Sequence, residues 1–422
     1  MPRSLLPQTS TTHRVARGGT LILGGGYAGA HVARRLGRRG ATIVNPTNFM
    51  LYTPLLPEAA GGSIEPRHVA VPLRTMCPHA DLLLGSAVAL DPELRTVEVT
   101  SDAGRFVVAY RDLIVALGAV TRMPQAEGLA EHAFALKDLP DAIRLRNHVL
   151  RQVELADAAP DQAESRLTFV FAGAGFSGVE ALAELQQLVA GALRRHRRLR
   201  GVDPRFVLVD PSPRILSQTP EALARSAART LDRRGVEILT GSALASADAH
   251  GTTLADGRRI DARTIVWTAG VGANPVAAKL GLPLDGRGRV QVDETFAVSG
   301  MPAVHALGDC AAVPNAATGE LDPPTCQHAL RQSRRLVKNL TGPAKPYAYR
   351  TRGHMAGLGR GRGIAVLGPL RLRGAAGWLV ARGYHLMALP FAARRLRVLA
   401  DWTAASVFRR DVAELTAVGG GR

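Results

Sequence analysis

Short unbroken apolar runs alternate along this chain with longer stretches in which apolar residues recur every three or four positions. Leu21-Ile22-Leu23 is such a run, of the kind a parallel strand buried on both faces displays. Ala28, Ala30, Val32, Ala33 and Leu36 then recur at helical intervals, and Ala41-Thr42-Ile43-Val44 predicts a second strand. Between the first strand and the helix stand Gly24, Gly26 and Gly29, at G-x-G-x-x-G spacing. Strand, tight turn, helix and strand within about 30 residues is the setting in which that spacing predicts dinucleotide binding. Gly24 permits the turn, Gly26 lets backbone approach a pyrophosphate, and Gly29 lets helix and strand pack closely. The helix start adds unpaired N–H groups and a positive dipole end.

The pattern then repeats. Residues 167–171 predict a strand, Gly173, Gly175 and Gly178 restate the spacing, residues 179–193 predict a helix, and 206–210 the next strand. Asp210 closes that strand and suits the two hydroxyls of an adenosine ribose, which favours NADH over NADPH. It stands 32 positions past Gly178, later than the usual ~20, and Arg214 nearby keeps a 2′-phosphate open. Asn45 occupies the equivalent place in the first unit, able to hydrogen-bond a ribose but uncharged. Between the two units, residues 81–90, 96–100 and 105–109 predict a small antiparallel excursion, 110–119 a buried strand, and 138–156 a helix. After the second unit, 235–260 predict short strands and turns that close on a strand at 264–270.

The succession GGGYAG, YRDLIVALGA, GAGFSGVEALAEL, TIVWTAGV and VHALGDCAAVP resembles the two-dinucleotide flavoproteins of the pyridine nucleotide-disulfide oxidoreductase superfamily. Within them the chain resembles the type II NADH dehydrogenases, single-subunit FAD-dependent NADH:quinone oxidoreductases, over roughly residues 20–410. The resemblance implies an α/β chain with two Rossmann-like domains, one for FAD and one for NADH, the second inserted in the first. A C-terminal amphipathic membrane-docking region would follow. The expected boundaries are a loose tail over 1–18, an FAD domain over 19–125 and 285–345, an NADH domain over 126–284, and the docking region over 346–422.

Carried over by resemblance, Gly24, Gly26, Tyr27, Ala28 and Gly29 would cradle the FAD pyrophosphate, with Asn45 near its ribose. Ala116, Gly118, Gly308 and Asp309 would complete the flavin side, Asp309 on the ribityl chain. Thr53–Gly61, which carries Pro54 and Leu55, would run near the flavin ring. Gly173, Gly175, Phe176, Ser177, Gly178, Glu180, Asp210, Ala269 and Gly270 would hold NADH. Hydride would pass to flavin N5, and two electrons would pass on to a quinone. Glu184, near the flavin, would take part in proton delivery, and Gln327 and Arg331 would act on the quinone side. The family carries an acid where Asn45 stands, and its quinone-side motif A-Q-x-A-x-Q-Q here keeps Gln327, Ala329 and Gln332 but has Cys326 and Arg331 as replacements.

Charge sharpens the picture. Of 53 basic and 35 acidic residues, the stretch 331–422 holds 18 basic and only 3 acidic. That excess predicts an anionic partner surface. Residues 375–391 and 391–410 set Trp378, Leu379, Tyr384, Met387, Leu396, Trp402 and Phe408 among Arg382, Arg394, Arg395, Arg397, Arg409 and Arg410. Such stretches suit helices lying in a membrane interface with their arginines reaching phosphates. No run approaches the ~18 apolar residues of a spanning helix, so a peripheral, non-proton-pumping protein at the cytoplasmic face of the cell membrane is expected. No nucleic acid is expected as partner, and a homodimer stays open. Cys77, Cys310 and Cys326 have no metal or redox spacing and read as separate thiols in a reducing compartment. Two alternatives remain at this point: a soluble NAD(P)H-dependent reductase of a small iron–sulfur carrier, and a nucleotide-sensing or nucleic-acid-binding flavoprotein.

Overall fold

The apolar runs become the central strands of two parallel sheets. In the computed structural model, which describes residues 11–351, 353–408 and 410–415, the chain divides into two units. The first takes the chain as far as Leu51, with Ala70–Val120 and Val271–Thr351; the second takes Tyr52–Val69, Thr121–Gly270 and the chain beyond Thr351.

The first unit holds a five-stranded sheet in the order Val304–Ala306, Asp112–Val115, Thr20–Leu23, Ala41–Asn45, Ala80–Leu84. All its pairings are parallel. The strand Thr20–Leu23 is buried throughout, which is why it reads as an unbroken apolar run. The predicted strand 81–90 divides in two. Ala80–Leu84 is the parallel edge of this sheet, and Ser86–Asp91 enters an antiparallel sheet with Thr96–Ser101 and Gly104–Ala109. Thr11–Val15 joins that sheet parallel to Gly104–Ala109, so this part of the predicted tail is a strand. All five of its residues are exposed, and without an apolar face the strand leaves no period to read.

The second unit repeats the plan. Its parallel sheet runs Ala133–Ala135, Thr264–Trp267, Thr168–Ala172, Arg205–Asp210, Val236–Thr240. Alternation along Thr168–Ala172 builds a core on each face. Phe169 and Phe171 pack under the helices Leu139–Ala158 and Phe176–Leu193, and Val170 and Ala172 face Trp267, Leu254 and Ile260. Stacked Phe169 and Phe206, 4.9 Å between centroids, tie neighbouring strands together.

The chain beyond Thr351 groups with this second unit. Gly353–Gly357, Gly363–Leu367 and Leu370–Arg373 form an antiparallel sheet, and the helices Gly374–Ala388 and Ala392–Val407 follow. Ala356, Leu358 and Ile364 enter the core under the helices, and Arg146 donates to the carbonyls of Ala413 (2.7 Å) and Asp411 (3.0 Å). Among the described residues, the long helices Glu221–Asp232 and Cys326–Thr341 had no predicted counterpart. Residues 1–10 of the predicted tail, Arg409, and 416–422 of the docking region lie outside the described residues.

The helix Leu139–Ala158 opens with a reciprocal cap: Asp138 accepts from the Asp141 N–H, and Asp141 accepts from the Asp138 N–H. Removing an N-cap side chain costs about 1 kcal/mol. Asp138→Ala should therefore lower the unfolding temperature by about 2–4 °C, measured by calorimetry on the full chain.

Candidate functional site

A helix that starts directly above a strand needs a turn whose atoms leave no room for side chains. In the first unit Gly24 has φ +106°, and its N–H donates to the Val44 carbonyl at 2.8 Å. A Cβ on Gly29 would lie 1.9 Å from the Gly24 carbonyl oxygen, and one on Gly24 2.2 Å from that of Ala116. Gly26, by contrast, faces open space, and the helix Tyr27–Leu36 starts there with no side chain capping it. The N–H groups of its first turn look onto that space. Asn45 accepts from the Gly25 N–H at 2.7 Å and donates to Thr47, which fixes its amide at the turn. The LGD turn lies on the same site: a Cβ on Gly308 would come 3.1 Å from Ala28, which puts Asp309 beside the helix start. Gln332 holds that turn, accepting from the Gly308 N–H and donating to Asp322, both at 2.8 Å. A bare helix N-terminus, an open glycine and an adjoining carboxylate fit a dinucleotide of the FAD type.

Arg331 and Gln327 are on the helix Cys326–Thr341 of the same unit. The Arg331 guanidinium lies over Tyr349, 5.3 Å from the ring centre. His328, buried on that helix, meets Asp322 at 2.6 Å. Cys77, Cys310 and Cys326 are separate free thiols, each pushed up to about 11 by burial.

The second unit repeats the turn atom for atom. Gly173 also has φ +106°, and its N–H meets the Val209 carbonyl at 2.8 Å. A Cβ on Gly178 would sit 1.8 Å from the Gly173 carbonyl, and one on Gly173 would strike the backbone of Ala269 at 2.6 Å. Gly175 is open, and Phe176–Leu193 begins there uncapped, with Ser177 exposed and Phe176 stacked on His354. Asp210 stands where Asn45 stands in the first unit, accepting from the Ala174 N–H (2.6 Å) and the Ser212 N–H (2.8 Å). Arg214 turns back onto its own loop and donates to the carbonyls of Ser217 (2.6 Å) and Thr219 (3.0 Å). Its guanidinium is thereby occupied, which favours a ribose hydroxyl over a 2′-phosphate.

Farther along Phe176–Leu193, two glutamates one helical turn apart face inward to a cluster of charges. Glu184, 5% exposed, pairs with Arg410 at 2.7 Å. Glu180 accepts from the Gly357 N–H at 2.8 Å. A third carboxylate, Glu58, takes bonds from Arg382 (3.2 Å) and the Trp402 indole. The single Ser63 hydroxyl proton has Glu58 (3.3 Å) and Glu184 (3.2 Å) to choose between. Three carboxylates thus face two guanidinium groups, and the cluster relieves the imbalance by holding protons. Burial pushes Glu180 up to about 8, against the Gly357 bond and with help from the charges of Glu58 and Glu184. Burial likewise pushes Glu58 up to about 7, opposed by Arg382. The cluster borders a cavity of about 30 Å³, the scale of one water, lined also by Pro54, Leu55 and His385. His385 is held neutral by burial, its pKa lowered to about 4.

Residues 19–333 match the pyridine nucleotide-disulphide oxidoreductase family model. A type II NADH:quinone oxidoreductase of Mycobacterium tuberculosis is 31% identical over 94% of this chain and 88% of its own length. The chain belongs to this family, among its type II NADH:quinone oxidoreductases. A Dictyostelium discoideum protein described as a probable NADH dehydrogenase is 28% identical over 93% of this chain and 90% of its own. In fold, the chain resembles NDH2 of Plasmodium falciparum, solved in complex with NADH: TM-score 0.87, 16% identity, covering 93% of this chain and 99% of that one.

Against the residues expected of such an oxidoreductase, the structure gathers the flavin-side glycines, Asn45, Ala116, Gly308 and Asp309 in one unit, with Gln327 and Arg331 on a helix of that unit. It gathers the NADH-side residues with Glu180 and Glu184 in the other, and Pro54 and Leu55 belong there too. The lipid-facing expectation is corrected at two arginines: Arg410 turns inward to Glu184, and Arg382 does not reach out to lipid. Its guanidinium lies between the rings of Trp378 (4.3 Å) and Trp402 (4.6 Å) and pairs with Glu58. Glu58 and Ser63 were missed as site residues. A lone carboxylate in the proline-rich TPLLPEAAG stretch was the available signal for Glu58.

Glu58 and Glu180 bind protons more tightly folded than unfolded, so between about pH 4.5 and 8 the folded state carries more protons. Stability should fall as pH rises through that window. Glu180→Gln, which stays neutral, should flatten the fall between pH 7 and 9 in a melting-temperature profile; an unchanged slope there would contradict the assignment.

Proposed function

We propose that this chain is a FAD-dependent, non-proton-pumping NADH:quinone oxidoreductase in which each unit binds one dinucleotide at its glycine turn. The observation that carries the reading is the duplicated turn, with a bare helix N-terminus and a fixed polar side chain at the next strand end in both units. A bound flavin supplies the two-electron chemistry that links a hydride donor to a quinone. In the first unit, Gly24, Gly26 and Gly29 admit the FAD pyrophosphate, Asn45 bonds its ribose, and Asp309 takes the ribityl hydroxyls. In the second, Gly173, Gly175 and Gly178 admit the NADH pyrophosphate and Asp210 takes both ribose hydroxyls. Gln327 and Arg331 act on the quinone side.

Overall, NADH gives up a hydride, and the quinone gains two electrons and two protons, so one proton per turnover comes from the solvent. Glu58 and Glu180 hold exchangeable protons near neutrality. Glu184 stands among them, paired with Arg410. Anaerobic mixing of the purified protein with NADH should bleach the flavin, and a short-chain quinone should restore its absorbance. Bleaching without restoration would move the electron acceptor elsewhere. Glu184→Gln should slow the quinone-dependent phase about tenfold or more with flavin content unchanged; equal rates would discard its role.

The second part of the proposal is a peripheral place on an anionic membrane, at the cytoplasmic face. Among the described residues no helix is long and apolar enough to cross a bilayer. The helices Gly374–Ala388 and Ala392–Val407 expose Leu379 (61%), Met387 (66%) and Leu396 (66%), apolar side chains suited to an interface. Replacing these three by glutamate should lower sedimentation with anionic liposomes at least about tenfold; full retention would sink this part.

A further inference from the structure

Apart from its glycine turn, the second unit has a cavity of about 510 Å³ whose lining holds no carboxylate. The helix Glu221–Asp232 and its end contribute Ser226, Arg229, Thr230 and Arg233; the turn at 361–363 contributes Arg362, and the end of Leu370–Arg373 contributes Arg373. Among the described residues none of these four guanidinium groups has a hydrogen-bond acceptor or a carboxylate in reach, whereas the arginines around them do. Arg225 pairs with Glu221 (3.3 Å), Arg360 donates to the Ser406 carbonyl (2.7 Å), and Arg234 donates to the carbonyls of Ala183 (3.0 Å) and Leu358. Half-buried Arg234 feels one of the four, Arg362. Burial first, and then the charge of Arg362, lower its pKa to about 10.

Four cations around one cavity repel one another, and an anion seated among them relieves that repulsion. The guanidinium fork matches phosphate oxygens two at a time, so four forks suit a ligand with two phosphates better than a lone carboxylate. The backbone leaves room for it: Gly361 and Gly374 line the cavity with open space where a Cβ would be, and Ser226 and Thr230 add hydroxyls. Exposed Leu367 and Leu370 stand on the two strands whose turn leads to Arg373.

We propose that this arginine-lined cavity is a phosphate-recognition site for a ligand bearing two or more phosphates, separate from the dinucleotide turns. The phosphates belong either to a free polyphosphate or nucleotide, or to lipid headgroups reached where Leu367 and Leu370 meet a bilayer. The site does not depend on the electron-transfer reading.

The test uses the full FAD-loaded protein with saturating NAD⁺, so that both glycine turns are filled. Arg229→Gln/Arg362→Gln is compared with Arg197→Gln/Arg198→Gln, an equal loss of charge at an exposed helix end. Calorimetric titration with pyrophosphate at fixed ionic strength should show one site per chain, weakened at least about tenfold by the first pair and unchanged by the second. If the wild type ignores pyrophosphate but vesicles containing phosphatidylglycerol lose binding through the first pair alone, the phosphates are those of lipid. If neither ligand separates the two double variants, the cavity is not a phosphate site and the proposal falls.

Discussion

Steric exclusion at one atom sets the form of each unit. The carbonyl oxygen of Gly24 lies where a side chain on Gly29 would begin, and that of Gly173 does the same to Gly178. Only with hydrogen at both positions can the helix start so close above the strand that its first N–H groups open beyond the sheet edge. From that closeness follow the central place of each apolar strand, the position of the next strand end beside the turn, and the reach of Asn45 and Asp210 back to the amides of Gly25 and Ala174. The two turns match in φ, in carbonyl partner and in polar latch although only one latch is charged. The fold therefore needs an acceptor at that place, and the charge is left for the ligand.

The parallel sheets were legible in the sequence because they bury both faces, and burial writes itself as apolar runs. The glycine spacing gave the turns for the same reason, since each glycine answers a contact that allows no other residue. What escaped lacked such a record. Thr11–Val15 has no buried face, and the helix Glu221–Asp232 carries only a narrow apolar stripe of Leu223, Ala224, Ala227 and Leu231. The division of 81–90 between two sheets depends on a bend at Gly85 that alternation does not show.

The carboxylate cluster was half legible. Glu180 and Glu184 were carried over by resemblance, but their partners come from far along the chain, where arginines among aromatic residues read as a lipid-facing pattern. Amphipathic sequence records that a cation is flanked by apolar groups. It does not record whether those groups are acyl chains or, as at Arg382, the rings of Trp378 and Trp402. The structure shows the cluster's charges answered inside the protein.

That answer arrives late in synthesis. Arg382 and Trp402 meet Glu58 across 324 and 344 positions of chain, and Arg410 meets Glu184 across 226. Contacts of such separation close slowly, and here they also neutralise charge that cannot stay buried alone. A nascent chain that has made both parallel sheets must keep these glutamates in water, and so keep the helix Phe176–Leu193 partly uncovered, until residues near 410 emerge. The second unit is then completed only when those residues have emerged.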